Sequence, residues 1–108
     1  MKLAFTPAAL EDLRSIRVYT LETWDAEQEE RYLNRIWAKF DSIRVEPTRY
    51  RLRADLFPGC RIAAEGKHVI LFRANGDLLE VVRVLHAAMD FKRHVASDQG
   101  QITEMDDG

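Results

Sequence analysis

The segment Val81-Val82-Arg83-Val84-Leu85 restricts the fold of this chain more than any other. Neighbouring residues of a strand point to opposite faces, so an unbroken apolar run needs cover on both. Such a strand lies centrally in a sheet or between two layers. Arg83 interrupts the run. A cation there needs a carboxylate, a cluster of carbonyls or a cleft. His86 falls where the strand ends, and Asp90 follows four residues later. A helix starting at Ala87 would put Asp90 within one turn of Arg93 and His94.

The rest of the chain supplies layers for this strand. Lys2 to Thr6 alternates Leu3 and Phe5 with Lys2 and Ala4, as a short strand does. Thr6-Pro7 opens a helix, with threonine as cap and proline at the first helical position. Phe5 and Leu10 have the spacing of a hydrophobic staple. Leu10, Leu13, Ile16 and Thr20 or Tyr19 carry the expected buried stripe to an end near Trp24. Asp25 caps a second helix, with Gln28 at the reciprocal position and Glu27, Glu29 and Glu30 at the positive end of its dipole. Its stripe is Leu33, Ile36, Trp37, Phe40 and Ile43 or Arg44, and Pro47 closes it. One or two residues join the helices, so they form an antiparallel hairpin. Trp24 and Trp37 are read as core or hairpin-closing residues.

After Pro47 the helical period stops. An arginine-rich crossing, 48–56, leads to the turn signal Pro58-Gly59 and three expected strands, about 60–65, 67–74 and 78–86. Glu65-Gly66-Lys67 and Asn75-Gly76-Asp77 are their turns, with Asn75 and Gly76 both suited to positive φ. The order β-α-α-β-β-β(-α) predicts an α+β fold, with an antiparallel-rich sheet packed against the helical hairpin. The first strand is expected to join that sheet.

Charge separates the domain from its end. The 108 residues carry a net charge of -2. Residues 97–108 hold Asp98, Glu104, Asp106 and Asp107 and no base, so the remainder has a charge of +2. The expected division is a domain over 1–96 and a flexible acidic tail over 97–108. No apolar run approaches a membrane span, and the stretch before Pro7 is too short for a signal peptide. A single cysteine, Cys60, makes no internal disulfide. These features point to the reducing cytoplasm. Overall charge argues against direct nucleic-acid binding, whereas Arg49, Arg51, Arg53 and Arg61 form a locally basic middle that is either a solvated face or a patch for an acidic partner.

Chemistry-bearing motifs are few. His68, His86 and His94 lack the spacing of a metal site, and no phosphate loop or nucleophile elbow is present, so no cofactor is expected. Cys60 reads as a buried structural thiol.

Arg83-Val84-Leu85-His86, Met89-Asp90 and Arg93-His94 together resemble the closing signature of the ParE toxins, a branch of the RelE/ParE superfamily of toxin–antitoxin pairs. The resemblance extends to Pro58-Gly59-Cys60-Arg61, the segment from Gly66 to Arg73, and the opening from Phe5 to Leu13, spanning about residues 2–95. It implies a small twisted sheet with a helical hairpin on one face. It also implies a type II toxin that acts by binding DNA gyrase and is neutralised by a ParD-like antitoxin. The RelE branch instead cleaves messenger RNA on the ribosome, with basic side chains on the sheet and a tyrosine or histidine near the C-terminus. This chain has Arg61, Arg73 and Arg83 on strands, but no tyrosine after Tyr50. Asp90 stands where a phosphate would be repelled. The expectation is therefore no catalytic residue, with ribosome-dependent endonuclease and non-toxic interaction module as alternatives. Target-binding candidates are Arg61, Arg83, His86, Asp90, Arg93 and His94. Antitoxin-binding candidates are Val18 and Leu21, which lie off the helix's main stripe, and Arg49, Arg51 and Arg53. Each has a structural alternative. Arg83 pairs with Asp90 or with an acid on a helix, His86 caps a strand, Asp90 supports the last helix, and the other arginines are solvated.

Overall fold

Thr6 divides the first strand from the first helix and serves both. In the computed structural model, which describes residues 1–95, its Oγ1 accepts the N–H of Ala9 at 3.0 Å and caps the helix. The same hydroxyl donates to the carbonyl of Val82 at 2.6 Å. The elements are β1 (Lys2–Phe5), α1 (Pro7–Thr23), α2 (Ala26–Val45), β2 (Arg51–Leu52), β3 (Arg61–Glu65), β4 (His68–Asn75) and β5 (Leu78–His86). A last helix, α3, covers residues 91–95. The expected acidic tail, and with it the boundary at 96, lies outside the described residues.

The five strands form one sheet in the order β1-β5-β4-β3-β2. β1 runs parallel to β5 and the other pairs are antiparallel. The α+β architecture, the hairpin and the docking of the first strand are as the sequence predicts. β2, only two residues long, was not foreseen.

β5 is covered on both faces. Toward the helical hairpin, Leu79, Val81 and Val84 join Ile70, Phe72 and Ala63, with Ile16, Ile36, Phe40 and Ile43 packed over them. On the other face Val82 and Leu85 meet Val69, Leu71, Leu56, Phe57, Cys60 and Val95. The crossing segment and α3 thus supply the second cover. Burial pushes the Cys60 thiol up to about 12, which keeps it protonated and inert at neutral pH.

Several local expectations are corrected. α1 buries Ile16 and Thr20, with Leu13 half-buried, as expected, but in its first turn Ala9 takes the place of Leu10. Leu10 is 53% exposed and makes no staple, because Phe5 packs edge-on against Trp37 and Phe40 instead. Tyr19 is also exposed. α2 buries Tyr32 in addition to Ile36, Phe40 and Ile43, while Trp37 keeps one side in solvent. In the β4–β5 turn only Gly76 has positive φ, and Asn75 is the last residue of β4. Glycine at the first turn position is the type II′ pattern. The last helix starts at 91, not 87. Asp90 therefore stands before it and accepts the N–H of Arg93 at 3.4 Å.

Candidate functional site

The free edge of β5 explains how α1 is held. β1 pairs with β5 only from Leu78 to Val81. Beyond that, backbone groups of β5 need other partners. Thr6 provides one, and Asp12 provides the next. The Asp12 carboxylate accepts the Val84 N–H at 2.9 Å and two hydrogen bonds from Arg83, each at 2.7 Å. Both side chains are largely buried, 14% and 13% exposed. The partner of Arg83 is thus an acid on a helix, and the Asp90 pairing is overturned. Asp90 is exposed and spends its carboxylate at the start of α3. A two-pronged arginine–carboxylate pair fixes orientation as well as charge.

Arg61, Arg73 and Arg53 are similarly engaged. Arg61 donates to the carbonyls of Thr48 and Tyr50, at 3.3 and 2.7 Å, and staples the crossing to β3. Arg73 bonds Glu80. Arg53 bonds Asp55 through two contacts of 2.9 and 3.0 Å and holds that carboxyl down at about 2. Arg49 and Arg51 are exposed.

At the far end of the sheet the sequence reading missed a cluster. His68 and His86 are register partners on β4 and β5, with ring centroids 5.6 Å apart. Tyr32 of α2 reaches them. Its hydroxyl lies 2.5 Å from Nδ1 of His68 and accepts the Lys67 N–H at 3.2 Å. His86 is exposed, and its Nδ1 accepts the N–H of Ala88. This strand-end cap is the structural alternative given above for His86. Arg93 is exposed and His94 half-buried, both on α3. His86, Asp90, Arg93 and His94 therefore follow one another around the end of β5, whereas Arg61 and Arg83 act inside the fold.

Burial, and next the neighbouring His86, hold His68 below the ordinary histidine range, although Asp12 of α1 opposes them. An unfolded histidine titrates near about 6.5. Below that pH the unfolded chain takes a proton that folded His68 resists, so the unfolded state gains. The contribution is complete above about pH 6.5 and is lost as pH falls toward the folded value. The denaturation midpoint of wild type is expected to drop more between pH 7 and 5 than that of His68→Asn. Parallel profiles would contradict this role.

On α1, Val18 and Leu21 are 49% and 43% exposed, and Leu10 and Tyr19 are exposed with them. Among the described residues, no group of three or more His, Cys, Asp or Glu could hold a metal ion, and no helix is long and apolar enough to cross a membrane.

Comparison with known proteins places this architecture. A solved structure titled as the chromosomal ParDE TA system from P. aeruginosa superposes with a TM-score of 0.68 at 19% identity, covering 80% of this chain and 95% of that one. That likeness concerns the fold alone. Toxin ParE1 of Mycobacterium tuberculosis is 33% identical over 91 residues, 83% of this chain and 93% of that protein. Toxin ParE1 of Caulobacter vibrioides is 32% identical over 84 residues, 78% of this chain and 86% of that protein. Residues 3–91 match the family described as the ParE toxin of the type II toxin–antitoxin system parDE. With the helical hairpin, the sheet order and the closing β5–α3 segment in place, this chain belongs to the ParE toxin family.

Proposed function

We propose that this chain is a toxin that acts by binding DNA gyrase in the cytoplasm, without catalysis, and that a ParD-like antitoxin neutralises it by covering the outer side of α1. The observation that carries the binding mode is the engagement of its arginines. Arg61, Arg73 and Arg83, the arginines of the three long strands, each give their guanidinium to a partner within the chain, and Arg51 stands apart on the short edge strand β2. Asp90 and Phe91 follow, where a nuclease needs cationic and proton-transferring groups. Gyrase as target rests on family resemblance. The surface we assign to it is His86, Asp90, Arg93 and His94, with Arg83 bracing β5 behind it, whereas Arg61, toward the other end of β3, holds the crossing.

The antitoxin surface rests on exposed apolar area. Val18 and Leu21, one turn apart on α1, are large, apolar and open to solvent, and adjacent exposed apolar residues mark an interaction face. Helix-in-groove partners use such anchors for affinity, and charges for register. Arg49 and Arg51 remain available for the latter, whereas Arg53 is held by Asp55.

The test combines three assays. Supercoiling by purified gyrase should fall, with cleaved DNA complexes accumulating, when the toxin is added. The antitoxin encoded beside the toxin gene should restore it, and should do so less well with Val18→Ser/Leu21→Ser. Translating ribosomes should yield no new RNA ends, since loss of a positioned acid or base costs about a hundredfold to ten-thousandfold in rate. Site-specific cuts that vanish on His86→Ala would overturn the reading in favour of an endonuclease. Unaltered supercoiling would remove gyrase as the target.

A further inference from the structure

A groove of about 300 Å³ lies between α1 and the ends of β4 and β5. Ile16, Tyr19 and Trp24 line it from the helical side, and Met89 lies at its strand-end side. Tyr19 and Met89 are 60% and 45% exposed, so this wall surface has no cover within the described chain. The rim differs in character. Lys67 is exposed and has no ion pair among the described residues, and His86 stands beside it at the end of β5. The carboxylate at the groove, Asp12, is occupied by Arg83 and Val84. The groove therefore offers apolar depth under a cationic edge.

We propose that this groove receives one bulky apolar side chain of the antitoxin, with an acidic residue of the same chain set beside Lys67. The inference rests on the reading that an antitoxin covers α1. It adds where the anchor enters and what chemistry flanks it. The capacity is at the small end of ligand sites, suited to a single anchor and not to an extended ligand. Anchors of this kind, seated in desolvated pockets, dominate interface energetics. A cationic rim selects an acidic neighbour and raises the association rate.

The experiment titrates full-length toxin with the antitoxin encoded beside it, using wild type, Ser15→Trp and Lys67→Glu. Ser15 is exposed and lines the groove, so tryptophan there fills the space without entering the core. Ser15→Trp should weaken binding about a hundredfold. Lys67→Glu, which changes an exposed side chain and leaves the backbone N–H to Tyr32 in place, should slow association about tenfold and reduce its salt dependence. Wild type that binds no antitoxin overturns the functional reading and this one with it. Wild type that binds while Ser15→Trp and Lys67→Glu bind equally well overturns the groove alone. If Ser15→Trp does not fold, Lys67→Glu decides. A single-stranded oligonucleotide that binds wild type and is lost in Lys67→Glu, with antitoxin affinity unmoved, overturns the protein occupant in favour of nucleic acid.

Discussion

Asp12→Ala is expected to destabilise the protein by about 3 kcal/mol, the lower end of the cost of removing one member of a buried ion pair. The lower end applies because a fraction of each side chain still meets solvent. Two losses coincide. Arg83 loses both carboxylate contacts, and the Val84 N–H loses its acceptor on the stretch of β5 that β1 does not reach. A buried donor without an acceptor costs about 1–3 kcal/mol by itself. Asp12→Asn keeps an oxygen for Val84 and should fall about midway. Asp90→Asn serves as the contrast. Asparagine caps a helix as well as aspartate does, so this change should be nearly silent on stability. Denaturant midpoints at unchanged slope measure all three. A loss under about 1 kcal/mol for Asp12→Ala would show that this carboxylate does not lock α1 to the sheet.

That pair also marks the limit of what the sequence discloses. Arg83 in an apolar run signals that a partner exists. It cannot say which acid, because Asp90 lies near in sequence and Asp12 near in space. Asp12 itself looks like one more polar residue on a helix. Features set by a few adjacent residues were legible: the caps at Thr6 and Asp25, the end of α2 before Pro47, the turn at Gly76, and the two-sided burial of Val81 to Leu85. They depend on local geometry, which the chain carries with it.

Helix faces were partly legible. In α1, Leu13, Ile16 and Thr20 face the core as expected, but small Ala9 is buried and Leu10 is exposed, so hydrophobicity alone favoured the wrong residue of the first turn. In α2, Tyr32 was passed over because its ring is buried while its hydroxyl is satisfied by Lys67 and His68, atoms more than thirty residues away. The histidine pair was hidden by a bulge. Counting outward from the Gly76 turn pairs Phe72 with Val81 and would set Lys67 across from His86. The register shift at Leu71/Phe72 places His68 there instead. A β-bulge of this kind redirects side chains without a strong sequence mark. The family resemblance identified the closing segment. It did not supply the internal partners of Arg61 and Arg83, which are tertiary facts of this chain.

Gly66→Ala is expected to cost about 3 kcal/mol, from two separable causes. Gly66 has φ of +59°, in the left-handed region where an L side chain is strained, a cost of about 1–2 kcal/mol. A Cβ there would also stand 2.6 Å from Cε1 and 2.8 Å from the hydroxyl of Tyr32. The ring is 7% exposed and packed against Trp24, so it cannot simply swing into solvent. Displacing it resembles overpacking a core, about 1–3 kcal/mol. It would also disturb the contacts to Lys67 and His68 that close this end of the sheet. The two causes separate in a double-mutant cycle. In a Tyr32→Ala background the collision is gone and only the backbone strain remains, so Gly66→Ala should then cost about 1–2 kcal/mol. Equal losses in both backgrounds would mean that the turn alone requires glycine. A smaller loss in the Tyr32→Ala background would mean that α2 and the β3–β4 turn fit together through the absence of one methyl group.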